Sequence, residues 1–172
     1  MTLDRRSLLG WMGAGVAGSA VATPVEARRA AQTASFRHGV ASGDPATRSV
    51  VFWTRVTPAD PAAGDIDVVL EVATDADFNN VVRRSSGLRA RAERDFTVKH
   101  DLDGQGLEPG TDYFYRFLAG DVMSPVGRTR TLADGALAEA RLAVVSCQLY
   151  PGGLFNAYDA VARLEQVDAV VH

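Results

Sequence analysis

Two patterns of hydrophobic and polar positions follow one another along the chain. From Phe36 to about residue 133, short segments alternate apolar and polar residues, are rich in β-branched and aromatic side chains, and are separated by turn residues. We predict strands at 49–56, 67–73, 95–100, 111–117 and 127–132. No segment of this region shows a convincing helical period. The first pattern therefore predicts a mainly β fold, a sandwich of two sheets.

The second pattern begins at Arg141, after a short linker at 134–140. Residues 141–146 form a continuous apolar segment, typical of a strand covered on both faces, and 167–171 forms another. The segment 154–166 between them places Leu154, Tyr158 and Val161 at helical spacing. Strand, helix and strand in this order predict a βαβ unit with parallel strands, the start of a second domain of α/β type.

The segment 107–113 predicts a structural role. Pro109 and Gly110 favour a turn into the following strand, and Tyr113 can bond the upstream backbone through its hydroxyl group. This is the tyrosine corner of immunoglobulin and fibronectin type III sandwiches. We expect Trp53 to fill the core. The predicted fold of residues 36–133 is therefore a fibronectin type III/Ig-like β-sandwich.

The first residues predict an export signal. Arg5 and Arg6 precede a weakly apolar stretch at 8–22 that is rich in Gly and Ala, which resembles a bacterial twin-arginine signal. An ordinary secretory signal and a disordered tail are the alternatives. Small residues allow cleavage after Ala22 or after Ala27. We predict a twin-arginine signal peptide at 1–27 and a flexible lead at 28–35.

Composition and charge narrow the classes of function. Hydrophobic residues make up 47% of the chain and charged residues 23%, which is typical of a globular protein. The net charge of −3 argues against a chain built to coat nucleic acid or anionic lipid. No apolar run reaches the roughly 18–20 residues of a membrane span. We therefore expect no nucleic-acid-binding module and no membrane span in the mature chain.

Five arginines lie close together in the sequence: Arg83, Arg84, Arg89, Arg91 and Arg94. An edge that attracts anions is one interpretation. A solvated strand face or charged edge is the other, and the alternation with Leu88, Ala90 and Ala92 favours it. His38 and His100 lie on predicted strands, where ordinary surface or core roles are favoured over metal ligation.

Cys147 is the candidate metal ligand. It is the single cysteine, so no internal disulfide can form. It follows the predicted strand 141–146, and ligands of α/β sheets gather at the carboxyl ends of strands. A thiolate there could coordinate a transition metal. A cysteine buried as a small apolar side chain is the other interpretation, and position alone leaves both open.

The motifs together resemble the PhoD-type (alkaline phosphatase D) family of metallophosphoesterases. The matching parts are the paired arginines and the segments 39–45, 51–56, 95–99, 107–117, 146–148, 155–158 and 170–172. The resemblance covers essentially everything from Phe36 onward. It implies a fibronectin-like sandwich followed by a metallophosphoesterase domain, of which 141–172 would be the truncated start.

The resemblance also implies a chemistry. It assigns Cys147 as a ligand of an active-site iron, with calcium ions beside it. It implies hydrolysis of phosphate monoesters or diesters in the periplasm or outside the cell, after export by the twin-arginine machinery. Family members continue beyond the position of His172 with Leu-Gly-Asp-Tyr, which supplies further ligands. We therefore assign no catalytic residue in this chain and expect it to be inactive alone.

The alternative function is an exported, non-catalytic fibronectin-like binding or adhesion module. It accounts equally well for the first 133 residues. It does not account for the predicted βαβ unit or for the loop that carries Cys147. The coding sequence beyond codon 172 would separate the two, because the enzyme requires it to continue with the missing ligands.

Overall fold

The computed structural model describes residues 34–60, 62–104, 106–136, 138–149, 151–164 and 166–172. The predicted signal peptide 1–27 and nearly all of the lead 28–35 lie outside these residues. The strands are β1 (Ala34–Ser35), β2 (Val40–Gly43), β3 (Ser49–Arg55), β4 (Thr57–Pro58), β5 (Ile66–Ala73), β6 (Val81–Ala90), β7 (Thr97–Asp103), β8 (Asp112–Ala119), β9 (Val122–Met123), β10 (Gly127–Arg130), β11 (Leu142–Val144) and β12 (Ala169–Val171). The helices are a 3₁₀ turn (Ala92–Arg94) and α1 (Asn156–Ala162).

Two antiparallel sheets make up most of the structure. The larger has the order β10-β8-β5-β6, with β9 paired to β8, and the smaller has the order β2-β3-β7. The strands β1 and β4 form a separate short pair. The sheets face each other, with β2 beside β10 at one edge and β6 beside β7 at the other. The predicted mainly β, sandwich-type fold is confirmed. No described helix is long and apolar enough to cross a membrane.

Strict alternation selects the side chains that fill the core. On β3, Val50, Phe52 and Thr54 are buried while the residues between them are half-buried. The inner side chains of β8, from Tyr113 to Ala119, follow the same rule. Phe52 of the smaller sheet meets Tyr115 of the larger sheet edge-on, with ring centroids 4.8 Å apart. Such a pair adds about 0.5–1.5 kcal/mol to the stabilisation from buried area.

The prediction that Trp53 fills the core is wrong. Neighbouring side chains of a strand point to opposite faces, so only one of two adjacent aromatic residues can face inward. Phe52 takes the inner position and is fully buried. Trp53 is half-buried on the other face, opposite Ala41 and Lys99 of the flanking strands.

One carboxylate organises the turn at 75–80. The side chain of Asp75 accepts hydrogen bonds from the backbone N–H groups of Asp77, Asn79 and Asn80, at 3.1, 3.0 and 2.7 Å. These bonds favour the charged form. They lower the pKa of Asp75, the bond from Asn79 most of all. The turn therefore joins β5 to β6 through a loop whose backbone N–H groups bond to a side chain of the same loop.

Most of the arginine cluster forms a charged, solvated edge, as the alternation of 88–92 predicted. Arg84, Arg89 and Arg91 have half-exposed side chains and each pairs with a carboxylate. The partner of Arg84 is Glu71, which is only 5% exposed. Arg116 also donates to Glu71, at 2.8 Å, and lies over the ring of Phe78. A buried charge needs such partners, and here they come from the strands on both sides.

The predicted tyrosine corner is present. The hydroxyl oxygen of Tyr113 accepts a hydrogen bond of 2.7 Å from the backbone N–H of Glu108, and Tyr113 is 2% exposed. Beside it, the hydroxyl of Thr131 donates to the Glu108 carbonyl at 2.6 Å and accepts from the Thr111 N–H at 3.0 Å. These bonds join the loop before β8 to the chain after β10.

The last 32 residues contain a small parallel pair. The strand β11 pairs in parallel with β12, and α1 lies between them in sequence. All three elements are shorter than predicted. The prediction that both strands are buried is wrong for this chain, because Val144 is 75% exposed and Val170 and Val171 are also exposed. Whether this segment opens a complete βαβ-built domain stays a prediction.

Replacing Tyr113 by Phe tests the tyrosine corner. We expect the free energy of unfolding to fall by about 1–3 kcal/mol, because the substitution removes the hydroxyl oxygen that accepts from the N–H of Glu108. Denaturant unfolding monitored on the sandwich measures the change. Tyr158→Phe is the matched control, since that hydroxyl lies outside the sandwich in an exposed hydrogen bond. Equal stability of Tyr113→Phe and the parent would contradict the assignment.

Candidate functional site

Cys147 lies on the loop between β11 and α1, where the sequence placed it. The backbone N–H of Val145 donates to the Val171 carbonyl at 2.9 Å, which continues the pairing of the two strands toward this loop. The cysteine is free and exposed. In this chain Cys147 is therefore not packed as a buried apolar side chain. Its thiol is available at the carboxyl end of a strand.

The loop after Cys147 depends on a close approach at Gly153. A Cβ atom at this position would lie 2.8 Å from the Gln148 side-chain nitrogen and 2.9 Å from the Leu149 carbonyl oxygen, so a larger residue would displace the loop. The side-chain oxygen of Gln148 is buried and has no hydrogen-bond partner among the described residues. Phe155, with φ of 53°, then begins α1 from the left-handed region.

A tyrosine–histidine pair lies at the same end of the small sheet. The hydroxyl of Tyr158 and Nε2 of His172 are 2.6 Å apart, and the ring of Phe155 stacks on Tyr158. His172 directly follows β12, and Cys147 follows β11. Because the strands are parallel, both residues leave the sheet at one edge. His172 was not predicted as a site residue, although its position just after an apolar strand is a signal that could have found it.

A cleft of about 1090 Å³ separates the sandwich from this segment. Its walls come from β2, β8 and β10 on one side and from α1 and β12 on the other. Two ion pairs lie along it: Arg128 with Asp112 at 3.3 Å, and Arg130 with Asp168 at 4.0 Å. Asp168 also accepts from the Arg141 N–H at 2.7 Å. Cys147 does not line the cleft, and among the ion pairs of the described residues only Arg130–Asp168 crosses it.

His38 has an ordinary surface role, as the sequence analysis favoured. Its Nδ1 lies 3.3 Å from a guanidinium nitrogen of Arg55. Arg55 also makes two bonds to Asp95, at 2.6 and 2.9 Å. The hydrogen bond between them raises the pKa of Arg55 and lowers the pKa of Asp95. This group fastens β3 to the loop before β7.

Residues 20–133 match the family described as PhoD-like phosphatase, N-terminal domain. The chain belongs to the PhoD-like phosphatase family. Alkaline phosphatase D of Bacillus subtilis (strain 168) is 38% identical over 189 residues, which cover 99% of this chain and 31% of that protein. A solved structure titled "Structure of PhoD" matches with a TM-score of 0.70 and 38% identity, over 79% of this chain and 27% of that chain. The chain is an N-terminal portion of such a protein.

Membership of the PhoD-like family is consistent with metal cofactors, so the donor set matters. Among the described residues, no three His, Cys, Asp or Glu side chains lie close enough together to hold a metal ion. Metal binding requires several ligands that converge on one point. Cys147 supplies one soft donor, and the described residues alone do not fit a metal cage. We derive no catalytic step through a metal from them.

Proposed function

We propose that this chain is the N-terminal part of an exported, metal-dependent phosphoesterase that hydrolyses phosphate monoesters or diesters. The observation that carries the proposal is 38% identity to an alkaline phosphatase D over 99% of the chain. That match extends past the sandwich into 141–172, where Cys147 lies. A fibronectin-like binding or adhesion module would need only the sandwich, so the match favours the enzyme.

The proposed division of the chain follows its two patterns. A twin-arginine signal peptide (1–27) and a lead (28–35) precede the fibronectin-like sandwich (36–133). A linker (134–140) then leads into the start of the metallophosphoesterase domain (141–172). The family match ends at residue 133, which supports the proposed end of the sandwich. The tyrosine corner supports its fibronectin-like character.

In the proposed enzyme, Cys147 is a ligand of an iron ion, and calcium binds through oxygen ligands. Exposure at a strand end supports this role, because a ligand must be reachable by the metal. Metal ions would lower the pKa of a water molecule and stabilise negative charge on the phosphoryl oxygens. The part played by this chain is to hold the thiol at the end of β11, through the tight turn at Gly153.

Replacing Cys147 by Ser in the whole protein tests the metal proposal. We expect iron content and hydrolysis of a chromogenic phosphate ester each to fall about tenfold or more. Even the replacement of a residue that only supports a metal ligand lowers metal affinity or activity about 10–100-fold. A hydroxyl is a far poorer donor to iron than a thiolate. The melting temperature should change much less, because serine is close to cysteine in volume. Elemental analysis and turnover measure both effects.

The neighbouring variant Ser146→Ala is the matched control, and it should keep its iron and its turnover. The 172-residue chain alone should hold no stoichiometric iron and hydrolyse no ester. A Cys147→Ser enzyme with full iron and full turnover would contradict the proposed ligand. Turnover by the 172-residue chain would contradict the proposed division of the active site.

Replacing Arg5 and Arg6 by Lys tests the proposed export route. Residues 1–35 fused to a folded reporter should carry it out of the cytoplasm, and the Lys-Lys variant should not, because the paired arginines are the recognised feature. The fraction of reporter outside the cytoplasm is measured after cell fractionation. Arg28→Lys and Arg29→Lys, beyond the predicted signal, serve as the control pair. Equal export of the Lys-Lys variant would contradict the twin-arginine proposal.

A further inference from the structure

The edge of the sandwich formed by β6 and β7 contains a cavity of about 270 Å³. This edge lies opposite the β2–β10 edge, which faces the C-terminal segment. Polar side chains on the inner faces of the two sheets line the cavity. Arg83 and Ser85 pair with Val72 and Leu70, and His100 pairs with Phe52. Side chains of paired residues lie on the same face, so these three polar residues face inward where the sandwich opens.

Two polar groups in this cavity lack partners. Ser85 is 7% exposed, and its hydroxyl oxygen has no hydrogen-bond partner among the described residues. The same holds for Nε of Arg83. The other buried polar residues of the sandwich, Thr54, Glu71, Ser124 and Thr131, all have partners. A buried polar group left unpaired in a native structure usually marks a bound water molecule or ion.

The charge of Arg83 has no ion-pair partner among the described residues. Arg84 next to it is paired with Glu71, whereas no ion pair holds Arg83 within the described part of the chain. Asp101 and Asp103 border the cavity but pair with Val51 and Ser49, which places them on the opposite face of β7 from His100. Burial lowers the pKa of His100, and the positive charge of Arg83 lowers it further. The negative charge of Asp101 raises this pKa by a smaller amount.

We propose that this edge cavity binds a small oxyanion of the phosphate class, held by the Arg83 guanidinium, the Ser85 hydroxyl and the His100 ring. The guanidinium matches an oxyanion in charge and in geometry. A serine hydroxyl and an imidazole N–H add donors from both sheets. The bound anion satisfies the unpaired groups and offsets the charge of Arg83. This proposal does not depend on the proposed enzymatic function.

Titration of the 172-residue chain with inorganic phosphate tests the site. The ring signals of His100 are followed by NMR at pH 7, against potassium chloride at the same ionic strength, and assigned with His100→Gln. We expect a saturable shift and a pKa of His100 that rises when phosphate is bound, because a nearby anion favours the protonated ring. The charged groups around the ring are Arg83, Arg84, Asp101 and Asp103.

Arg83→Gln should weaken phosphate binding about tenfold or more, since it removes a charge-assisted hydrogen bond. Arg89→Gln is the matched control, because Arg89 lies on the same strand with a half-exposed side chain paired to Asp65 and Asp67. It should bind phosphate as the parent does. If Arg83→Gln does not fold, Ser85→Ala decides, with binding about threefold weaker expected.

Three results would overturn the proposal. One is a phosphate titration of the parent that does not saturate, which would leave water alone in the cavity. Another is unchanged affinity in folded Arg83→Gln, or in Ser85→Ala where that variant decides. The third is an Arg89→Gln variant that loses as much affinity as Arg83→Gln, which would show general attraction to the charged edge.

Discussion

The structure depends on the burial of one strand face, the inner side of β8, against β3. Tyr113, Tyr115 and Phe117 leave almost no exposed surface, and Tyr115 meets Phe52 across the sheets. Aromatic side chains of this size dominate the energy of a core. Their burial also fixes the neighbours. Position 127, which pairs with Tyr115, requires glycine because a Cβ there would lie 2.3 Å from the phenol ring. The hydroxyl of Tyr113 anchors the turn into the strand.

The C-terminal segment has no comparable constraint. Leu142, Val144, Leu154 and Val170 are all exposed, although parallel strands are normally covered on both faces. Apolar burial contributes about 25 cal/mol per Å², and this segment gains little of it. The chain spans 31% of its relative alkaline phosphatase D. We propose that the remainder of the metallophosphoesterase domain covers these side chains and supplies the other ligands of the metal that Cys147 would bind.

The sequence predicted those features that local pattern controls. β3 and β8 were found because their alternation is strong, and the tyrosine corner because its turn residues are adjacent. Trp53 was misplaced since alternation does not say which of two adjacent aromatics faces inward. The arginine cluster left an anion-attracting edge open as one interpretation, but the pattern did not single out Arg83 or Ser85, because a bulge at Ser86 and Gly87 reverses which positions of β6 face the core. The position of Cys147 followed from the pattern, but its proposed iron came from the family resemblance alone, since metal ligands are brought together only by the fold.

We infer that the sandwich is a self-sufficient folded unit and that the C-terminal segment is weakly held in this chain. Amide hydrogen exchange of the 172-residue chain, resolved by residue, tests it most directly. Amides of β3 and β8 should exchange only through global unfolding, and those of β11 and β12 at least about 100-fold faster, through local opening. Equal protection of β3, β8, β11 and β12 would contradict the account, because it would mean that all four strands open as one cooperative unit.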